Sequence, residues 1–155
     1  MDDVDPEERA APRYRRPGWF TTHVFNGVVA LLTRMGVSVR GSRMLRVRGR
    51  KSGRPYATPV NLLTHDGRRY LVAPRGNTQW VRNLRASGGG ELLLGRTVER
   101  FRAVEVPEAE RIQILRAYLR RWKMEVGAFF EGVDAESPDG DLARIASDHP
   151  VFVLS

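Results

Sequence analysis

The stretch that decides the interpretation of this chain is Gly49-Arg50-Lys51-Ser52-Gly53-Arg54-Pro55. Before it, Leu45 and Val47 alternate with arginines, and after it Val60 and Leu62 alternate with other residues. Alternation with a period of two is typical of half-buried β-strands. The stretch is therefore predicted to be a turn that joins two strands.

This turn carries groups that suit an anion. Arg50 and Lys51 supply positive charge, Ser52 supplies a hydroxyl, and Gly49 and Gly53 allow a positive φ and close approach of a ligand to the backbone. Together they favour a cradle for a phosphate or a carboxylate. The alternative is an exposed basic turn whose charges are only solvated.

The neighbouring sequence predicts a small barrel of short antiparallel strands. Asp66-Gly67 is a strong hairpin signal, and Pro59 within a strand indicates a strand edge or a bulge. A short helix follows with Asn77 or Thr78 as its N-cap, and a second helix begins at Pro107. The predicted strands are 43–49, 56–65, 68–74, 90–96, 98–106 and 149–154, and the short helix is 78–86. The predicted fold class is mainly β with α, with the helices packed outside a small barrel.

Bulk composition is typical of one domain with an anionic partner. The chain has 155 residues and no cysteine, and its 26 Lys+Arg against 18 Asp+Glu give a net charge of +8. We expect a flexible arm over residues 1–17 and a single domain over residues 18–155. Such a charge also suits nucleic acid or an anionic membrane, but its concentration beside the turn favours an anionic cofactor, and no nucleic-acid partner is predicted.

The segment 19–37 has the apolar spacing of an amphipathic helix. It is either a helix packed over the barrel or an interfacial helix, with Arg13, Arg15 and Arg16 attracted to anionic lipid. No secretory signal is apparent, so we expect a cytoplasmic protein, with peripheral contact at the inner face of the cell membrane left open. A homodimer is left open as well.

The order of the motifs resembles one known family. The turn is followed by Thr58-Pro59, by Asp66-Gly67, by Tyr70-Leu71-Val72-Ala73, and by Trp80 with Asn83-Leu84. This order is similar to that of the deazaflavin (F420)-dependent nitroreductase family of actinobacteria, within the split-barrel flavin and deazaflavin oxidoreductase superfamily. The resemblance covers residues 45–106 well and the terminal His149-Pro150-Val151-Phe152 weakly. It implies a split β-barrel of the FMN-binding type and the cofactor F420, with FMN as the less favoured alternative.

The resemblance also implies which residues hold F420, a deazaflavin with a phosphate and an oligoglutamate tail. It implies that residues 50–53 hold the phosphate and part of the tail, that residues 59–61 lie along the ring, and that the loop 73–76 lies opposite. The cofactor-binding residues implied in this way are Arg50, Lys51, Ser52, Gly53, Pro59, Val60, Asn61, Ala73, Arg75, Trp80 and Asn83. No catalytic residue is assigned, because the deazaflavin carries the hydride itself. No metal site is expected, because the three histidines lie far apart without a ligand spacing.

The sequence predicts less about the binding of the acceptor than about the binding of the cofactor. Tyr118 and Trp122 are one helical turn apart, so they are predicted either to face a substrate pocket or to belong to the core. The resembled branch carries tyrosines there, and their absence here puts the identity of the acceptor in doubt. The predicted function is hydride transfer from reduced F420 to a small organic acceptor such as a quinone, a nitro compound or an activated alkene. The alternatives are a non-catalytic split-barrel protein that binds deazaflavin or a fatty acid, and an FMN-dependent relative.

Overall fold

The computed structural model describes residues 42–155. The predicted arm 1–17 and the predicted helix 19–37 lie outside these residues, so the domain boundary at residue 18 stays a prediction. The strands are β1 (Ser42–Arg48), β2 (Pro55–His65), β3 (Arg68–Val72), β4 (Gly89–Leu94), β5 (Thr97–Glu105) and β6 (Val151–Leu154). The α-helices are α1 (Gln79–Ser87), α2 (Ile112–Val126) and α3 (Asp139–Ile145), and the short 3-10 helices are Glu108–Glu110, Gly127–Phe130 and Ala146–Asp148.

The strands close into an antiparallel barrel in the order β1-β2-β3-β6-β5-β4. Two strands belong to both halves of the barrel. β2 pairs with β1 through residues 55–61 and with β3 through residues 62–65. β5 pairs with β4 through residues 97–102 and with β6 through residues 103–105. The barrel is thus two half-sheets that part where β2 and β5 change partners, and the predicted fold class is confirmed.

Period-two alternation separates two hydrophobic layers. Along β3 and β6, Leu71 and Phe152 point into the barrel interior, whereas Tyr70 and Val151 point to an outer layer. All strands contribute to the interior cluster, and α1 adds Val81 and Leu84 to it. α2 and α3 cover the outer faces of β2, β3 and β6. The barrel interior and the layer beneath α2 are therefore distinct environments.

The hairpin turn and the strand edge predicted from the sequence agree with the structure. Asp66 and Gly67 have φ values of 51° and 76°, which is the left-handed geometry that a tight two-residue hairpin needs. Pro59 pairs with Met44 of β1 and lies before the residues of β2 that pair with β3, in agreement with the predicted strand edge. The predicted helix start at Pro107 is wrong for α2, because Pro107 precedes only the 3-10 helix Glu108–Glu110 and α2 itself begins at Ile112.

Candidate functional site

The cationic turn is a closed, hydrogen-bonded loop between β1 and β2. The Gly49 N–H donates to the Arg54 carbonyl at 2.7 Å, and the Gly53 N–H donates to the Gly49 carbonyl at 2.9 Å. Gly53 has a φ of 76°, as expected. Gly49 is needed for a different reason, because a Cβ there would lie 2.5 Å from the Tyr56 ring.

The serine of the turn is held in place by its neighbours. The Ser52 Oγ lies 3.1 Å from the Tyr56 hydroxyl, and it accepts the Arg54 N–H at 3.2 Å. Ser52 is half-buried and Tyr56 is buried. The hydroxyl therefore has a fixed position at the wall of the turn, which is what a pre-organised ligand contact requires.

Asn83 connects the turn to α1. Its Oδ1 accepts both the Arg50 backbone N–H at 3.1 Å and the Arg50 Nη1 at 2.8 Å. The Asn83 side chain is only 2% exposed, so these bonds form in a largely dry environment where losing them is costly. The structure brings Arg50 and Asn83 together, and it gives Asn83 a direct role in fixing the turn.

Two adjoining clefts surround the turn. The first, of about 380 Å³, is lined by Arg48, Gly49, Arg50, Lys51, Ser52, Gly53, Ala86 and Ser87. The second, of about 870 Å³, shares Arg48, Gly53 and Ser87 with the first and continues to Arg100, Arg102 and Ser155. Among the described residues, the first cleft is lined by no acidic side chain, and Glu91 is the acidic side chain at the second.

The register of β1, β4 and β5 explains the charge of the second cleft. Arg46 pairs with Glu91, which pairs with Arg100, and the Glu91 carboxylate lies 2.7 Å from Arg46 and 3.7 Å from Arg100. Two residues further along β5, on the same face, Arg102 pairs with Gly89, which has no side chain. The positive charge of Arg102 is therefore not offset within its row as that of Arg100 is. These arginines were not predicted to belong to the site, although their alternation along β1 and β5 is a visible signal in the sequence.

The predicted ring-binding segments border the place where β2 and β3 part. The ladder between these strands ends at the pair Leu62 and Leu71. Beyond that end, residues 59–61 continue along β2, and the loop 73–76 follows β3. Val60 and Ala73 both belong to the interior cluster, whereas Arg75 is exposed. The roles of Pro59, Val60, Ala73 and Arg75 in cofactor binding stay predictions.

The Asn61 side chain faces the outer layer. Its Oδ1 accepts the Ser42 hydroxyl at 3.3 Å, and its side chain is hydrogen-bonded to the hydroxyl of Tyr118 on α2. The amide of Asn61 thus joins β1, β2 and α2, and any contact of this residue with a ring falls to its backbone.

Tyr118 and Trp122 are buried, at 1% and 0% exposure, in the layer between α2 and the sheet. Burial raises the pKa of Tyr118 above its usual range, and the bond to Asn61 opposes this rise only in part. Trp122 has non-helical φ and ψ values of −119° and 17°, which interrupt α2. This burial favours the core alternative, so the predicted substrate pocket formed by these residues stays without structural support.

Trp80 lies at the border of the barrel interior. Its ring is 6.1 Å from that of Phe152 on β6, and it is partly buried against the interior cluster. Nearby, the hydroxyl of Thr78, the N-cap of α1, is buried without a hydrogen-bond partner among the described residues. A buried hydroxyl of this kind calls for a polar partner from a ligand or from water.

A second connection, which the sequence did not reveal, fixes the loop 73–76. The His149 Nδ1 lies 3.1 Å from the Ala73 carbonyl, and the His149 ring stacks on Phe130 at 4.2 Å. Burial lowers the pKa of His149 below its ordinary value, although the hydrogen bond to Ala73 opposes this shift. The guanidinium of Arg75 lies 5.9 Å from the centre of the Phe129 ring. The 3-10 helix Gly127–Phe130 is therefore tied to this loop.

Arg85 of α1 has a structural partner. Its guanidinium binds the Glu105 carboxylate through two contacts of 2.7 Å and the Asn77 Oδ1 at 2.8 Å. The buried Arg111 reaches the same carboxylate at 3.1 Å and also binds two backbone carbonyls. This network anchors α1 to β5 and the start of α2.

Comparison with known proteins agrees with the barrel. A search of curated proteins found no match. The structure of Atu2129 from Agrobacterium tumefaciens, of unknown function, has a TM-score of 0.52 at 19% identity over 74% of this chain, which spans only 47% of that protein. An F420-H2 dependent reductase, FDR-A, has a TM-score of 0.50 at 19% identity over 75% of this chain and 95% of its own. A domain-swapped dimer has a TM-score of 0.52 at 20% identity over 87% of this chain and 98% of its own.

At these identities the solved structures establish the fold alone. The family assignment comes from sequence, because the profile of one family matches residues 14–138, which is more than half of the chain. That match includes the cationic turn, α1 and most of the barrel. The chain therefore belongs to the F420H(2)-dependent quinone reductase family, whose members are oxidoreductases that depend on coenzyme F420.

Proposed function

We propose that this protein transfers a hydride from reduced F420 to a quinone or a related small acceptor, with nitro compounds and activated alkenes as further candidates. The observation that carries the proposal is the pre-organised cationic turn within a family defined by F420. The described residues fit this cofactor in three respects, which concern its phosphate, its acidic tail and its ring.

The phosphate fits the cleft at the turn. Guanidinium, ammonium and hydroxyl groups surround that cleft, and these are the donors that phosphate prefers. Lys51 and Arg50 would supply the charge, and Ser52 would supply a hydroxyl whose position Tyr56 fixes. Asn83 would hold the turn in shape through its two hydrogen bonds from Arg50, and the predicted contact of Asn83 with the cofactor stays a prediction.

The acidic tail fits the adjoining cleft. Arg48 is shared by both clefts, and Arg102 continues the positive charge over the outer face of β5. Carboxylates that extend from the phosphate would meet guanidinium groups, for which paired hydrogen bonds are the preferred geometry.

The ring fits the place where β2 and β3 part. Backbone groups of Pro59, Val60 and Asn61 on one side and the loop from Ala73 on the other would orient it, and Trp80 would support it beside the barrel interior. When bound, reduced F420 would supply a hydride and a proton, which together convert a quinone to the hydroquinone and leave oxidised F420. The protein binds the cofactor and the acceptor, orients them and excludes water from the site. No side-chain acid or base is needed for the hydride step.

The test is a titration of the full-length protein with F420 and, in parallel, with FMN, followed by cofactor fluorescence. We expect tighter binding of F420. Lys51→Ala should weaken F420 binding by about tenfold, since a charge-assisted contact contributes about 1–3 kcal/mol. Lys123→Ala is the matched control, because Lys123 is exposed on α2 and far in sequence from the turn.

Two outcomes would favour the alternatives. Equal affinity for FMN and F420 would indicate an FMN-dependent relative, since FMN lacks the acidic tail. Tight F420 binding without oxidation of reduced F420 by a quinone, a nitro compound or an enone would indicate a protein that binds the cofactor without turnover.

We also propose a cytoplasmic location, with peripheral contact at the inner face of the membrane as the alternative. No helix among residues 42–155 is both long and apolar enough to cross a bilayer. Sedimentation with anionic vesicles at low salt separates these alternatives.

A homodimer is proposed by analogy with the domain-swapped relative, and light scattering of the purified protein tests it.

A further inference from the structure

The loop 73–76 is held against the chain just before β6 by backbone contacts. The Ala73 N–H donates to the Pro150 carbonyl at 2.9 Å, and the Gly76 N–H donates back to the Ala73 carbonyl at 3.2 Å. Gly76 has a φ of 84°, and a Cβ there would lie 3.2 Å from the Asp148 carbonyl oxygen. The loop is therefore a closed turn that packs directly on the chain before β6.

His149 adds a side-chain contact to this turn. Its Nδ1 lies 3.1 Å from the Ala73 carbonyl, so a proton on that nitrogen is donated to the carbonyl. His149 is 6% exposed, and its ring stacks on the fully buried Phe130 at 4.2 Å with an angle of 21° between the planes. A ring held on one face and at one nitrogen has a fixed position, and it fixes in turn the carbonyl at which the loop begins.

The surroundings of His149 favour the neutral ring. Among the described residues, the charged groups on the elements packed against it are Arg75 on the loop, the neighbouring Asp148, and Glu131. Burial lowers the pKa of His149 below its ordinary value, and the bond to the Ala73 carbonyl and the two carboxylates oppose this shift only in part. A proton taken up at low pH therefore favours a state in which the ring reaches water and the Ala73 carbonyl loses this partner.

We propose that His149 is a positioning residue for the ring of F420: the neutral imidazole keeps the loop 73–76 in the shape that receives the ring, and protonation of the imidazole releases the loop. This inference rests on the proposed function, in which that loop contacts the ring. His149 acts through the Ala73 carbonyl and needs no contact of its own with the cofactor. Affinity for the ring should be full above about pH 6.5 and fall below it, because the proton and the cofactor favour different states of the loop.

The experiment measures the affinity of the full-length protein for a phosphate-free deazaflavin riboside, which carries the ring without the tail, between about pH 5.5 and about pH 7.5. His149→Asn keeps a donor for the Ala73 carbonyl and does not titrate, so its affinity at the upper pH should stay within about threefold of wild type. As the pH falls, we expect the wild type to lose about three- to tenfold more affinity than this variant. The titration of the ligand itself is the same for both proteins and cancels in the comparison.

His149→Phe tests the hydrogen bond separately from the charge. It keeps a ring to stack on Phe130 and removes the donor to the Ala73 carbonyl. We expect the riboside to bind about two- to tenfold more weakly to this variant than to wild type at the upper pH, since a neutral hydrogen bond contributes about 0.5–1.5 kcal/mol. Circular dichroism of each variant confirms that the folded protein is being titrated.

Asp148→Asn leaves the contacts of His149 in place and removes an exposed carboxylate that favours its protonation. The fall in affinity should therefore move to lower pH by about 0.2–0.7 pH units, as for the loss of an exposed charge pair. Glu136→Gln is the matched control, because Glu136 is exposed and is not one of the carboxylates that act on His149. We expect it to leave the pH profile unchanged.

Parallel pH profiles of wild type and His149→Asn, in a protein that binds F420, would overturn this inference and leave the proposed function standing. Where the His149 variants do not fold, a profile that does not move in Asp148→Asn would overturn it in the same way. A wild-type protein that binds neither the riboside nor F420 would overturn both.

Discussion

Asn83 determines the shape of the cationic turn although it lies outside it. A single carbonyl oxygen accepts both the backbone N–H and the guanidinium of Arg50. Because the side chain is buried, water cannot readily replace that oxygen if it is lost. Arg50 therefore has two roles, as a charge near the ligand and as a structural anchor, whereas Lys51 is exposed and suits a direct test of ligand binding.

Asn83→Leu tests this anchor. The substitution keeps the approximate volume and removes the acceptor, so two donors of Arg50 lose their partner. We expect a loss of about 1–3 kcal/mol in the free energy of unfolding and weaker F420 binding, because the turn loses its fixed shape. Urea unfolding and cofactor titration measure the two effects. Arg82→Ala, an exposed substitution on the same helix, should change neither, and an Asn83→Leu protein as stable as wild type would contradict the anchor.

His149 makes the stability of the protein depend on pH. Burial lowers its pKa in the folded protein below its value in the unfolded chain, so the unfolded chain takes up a proton first as the pH falls. Stability should be retained above about pH 6.5, decrease as the pH falls below it, and level off for this group once the folded pKa is passed.

His149→Asn provides the comparison, because its side-chain amide can still donate to the Ala73 carbonyl but does not titrate. Urea unfolding of both proteins between about pH 5 and about pH 7.5 measures the difference. We expect the wild type to lose more stability than the variant over this range. Parallel curves for the two proteins would show that His149 is not the group responsible.

At the scale of elements, β1, β4 and β5 build a cationic surface through their register. Glu91 offsets Arg46 and Arg100 in one row, whereas Gly89 is the residue opposite Arg102 in the next row on the same face. Gly89 cannot be replaced easily, since a Cβ there would lie 2.4 Å from the Phe101 carbonyl oxygen. The absence of a side chain at this point leaves the cleft open between β1 and β5.

The matched pair Arg102→Gln and Arg100→Gln tests which row holds the acidic tail. Both residues are exposed on the same face of β5, but only Arg100 pairs with Glu91. We expect Arg102→Gln to weaken the binding of long-tailed F420 by about two- to fivefold, as for an exposed ion pair, and Arg100→Gln to have a smaller effect. A tail-less deazaflavin should not distinguish the two variants. Equal losses of affinity in both variants would mean that the tail does not bind along the row in which Arg102 faces Gly89.

At the scale of the whole molecule, alternation and turn residues were enough to predict the barrel. Apolar residues at every second position of β1 and β2 on either side of the turn point into the barrel interior, and Asp66-Gly67 makes the hairpin that the sequence indicates. The candidate site could be predicted only in part, because it depends on contacts between distant segments. Helical spacing put Tyr118 and Trp122 on one face of α2, but it could not distinguish a core face from a pocket face. The contact of Arg75 with Phe129 joins two loops with no sequence signal in common.

The net charge of +8 gives the last prediction, which concerns ionic strength. Salt screens exposed charges strongly, since the Debye length falls from about 10 Å at 0.1 M to about 3 Å at 1 M. The arginines proposed to hold the tail are exposed, whereas the phosphate cleft also offers the half-buried Ser52. We therefore expect the affinity advantage of long-tailed F420 over a tail-less deazaflavin to shrink as the salt concentration rises from about 0.1 M to about 1 M. In Arg102→Gln, this advantage should be small at both salt concentrations. Fluorescence titration of both ligands measures this advantage. An advantage that survives high salt unchanged would mean that the tail is held by buried or apolar contacts, not by the arginine surface of β1 and β5.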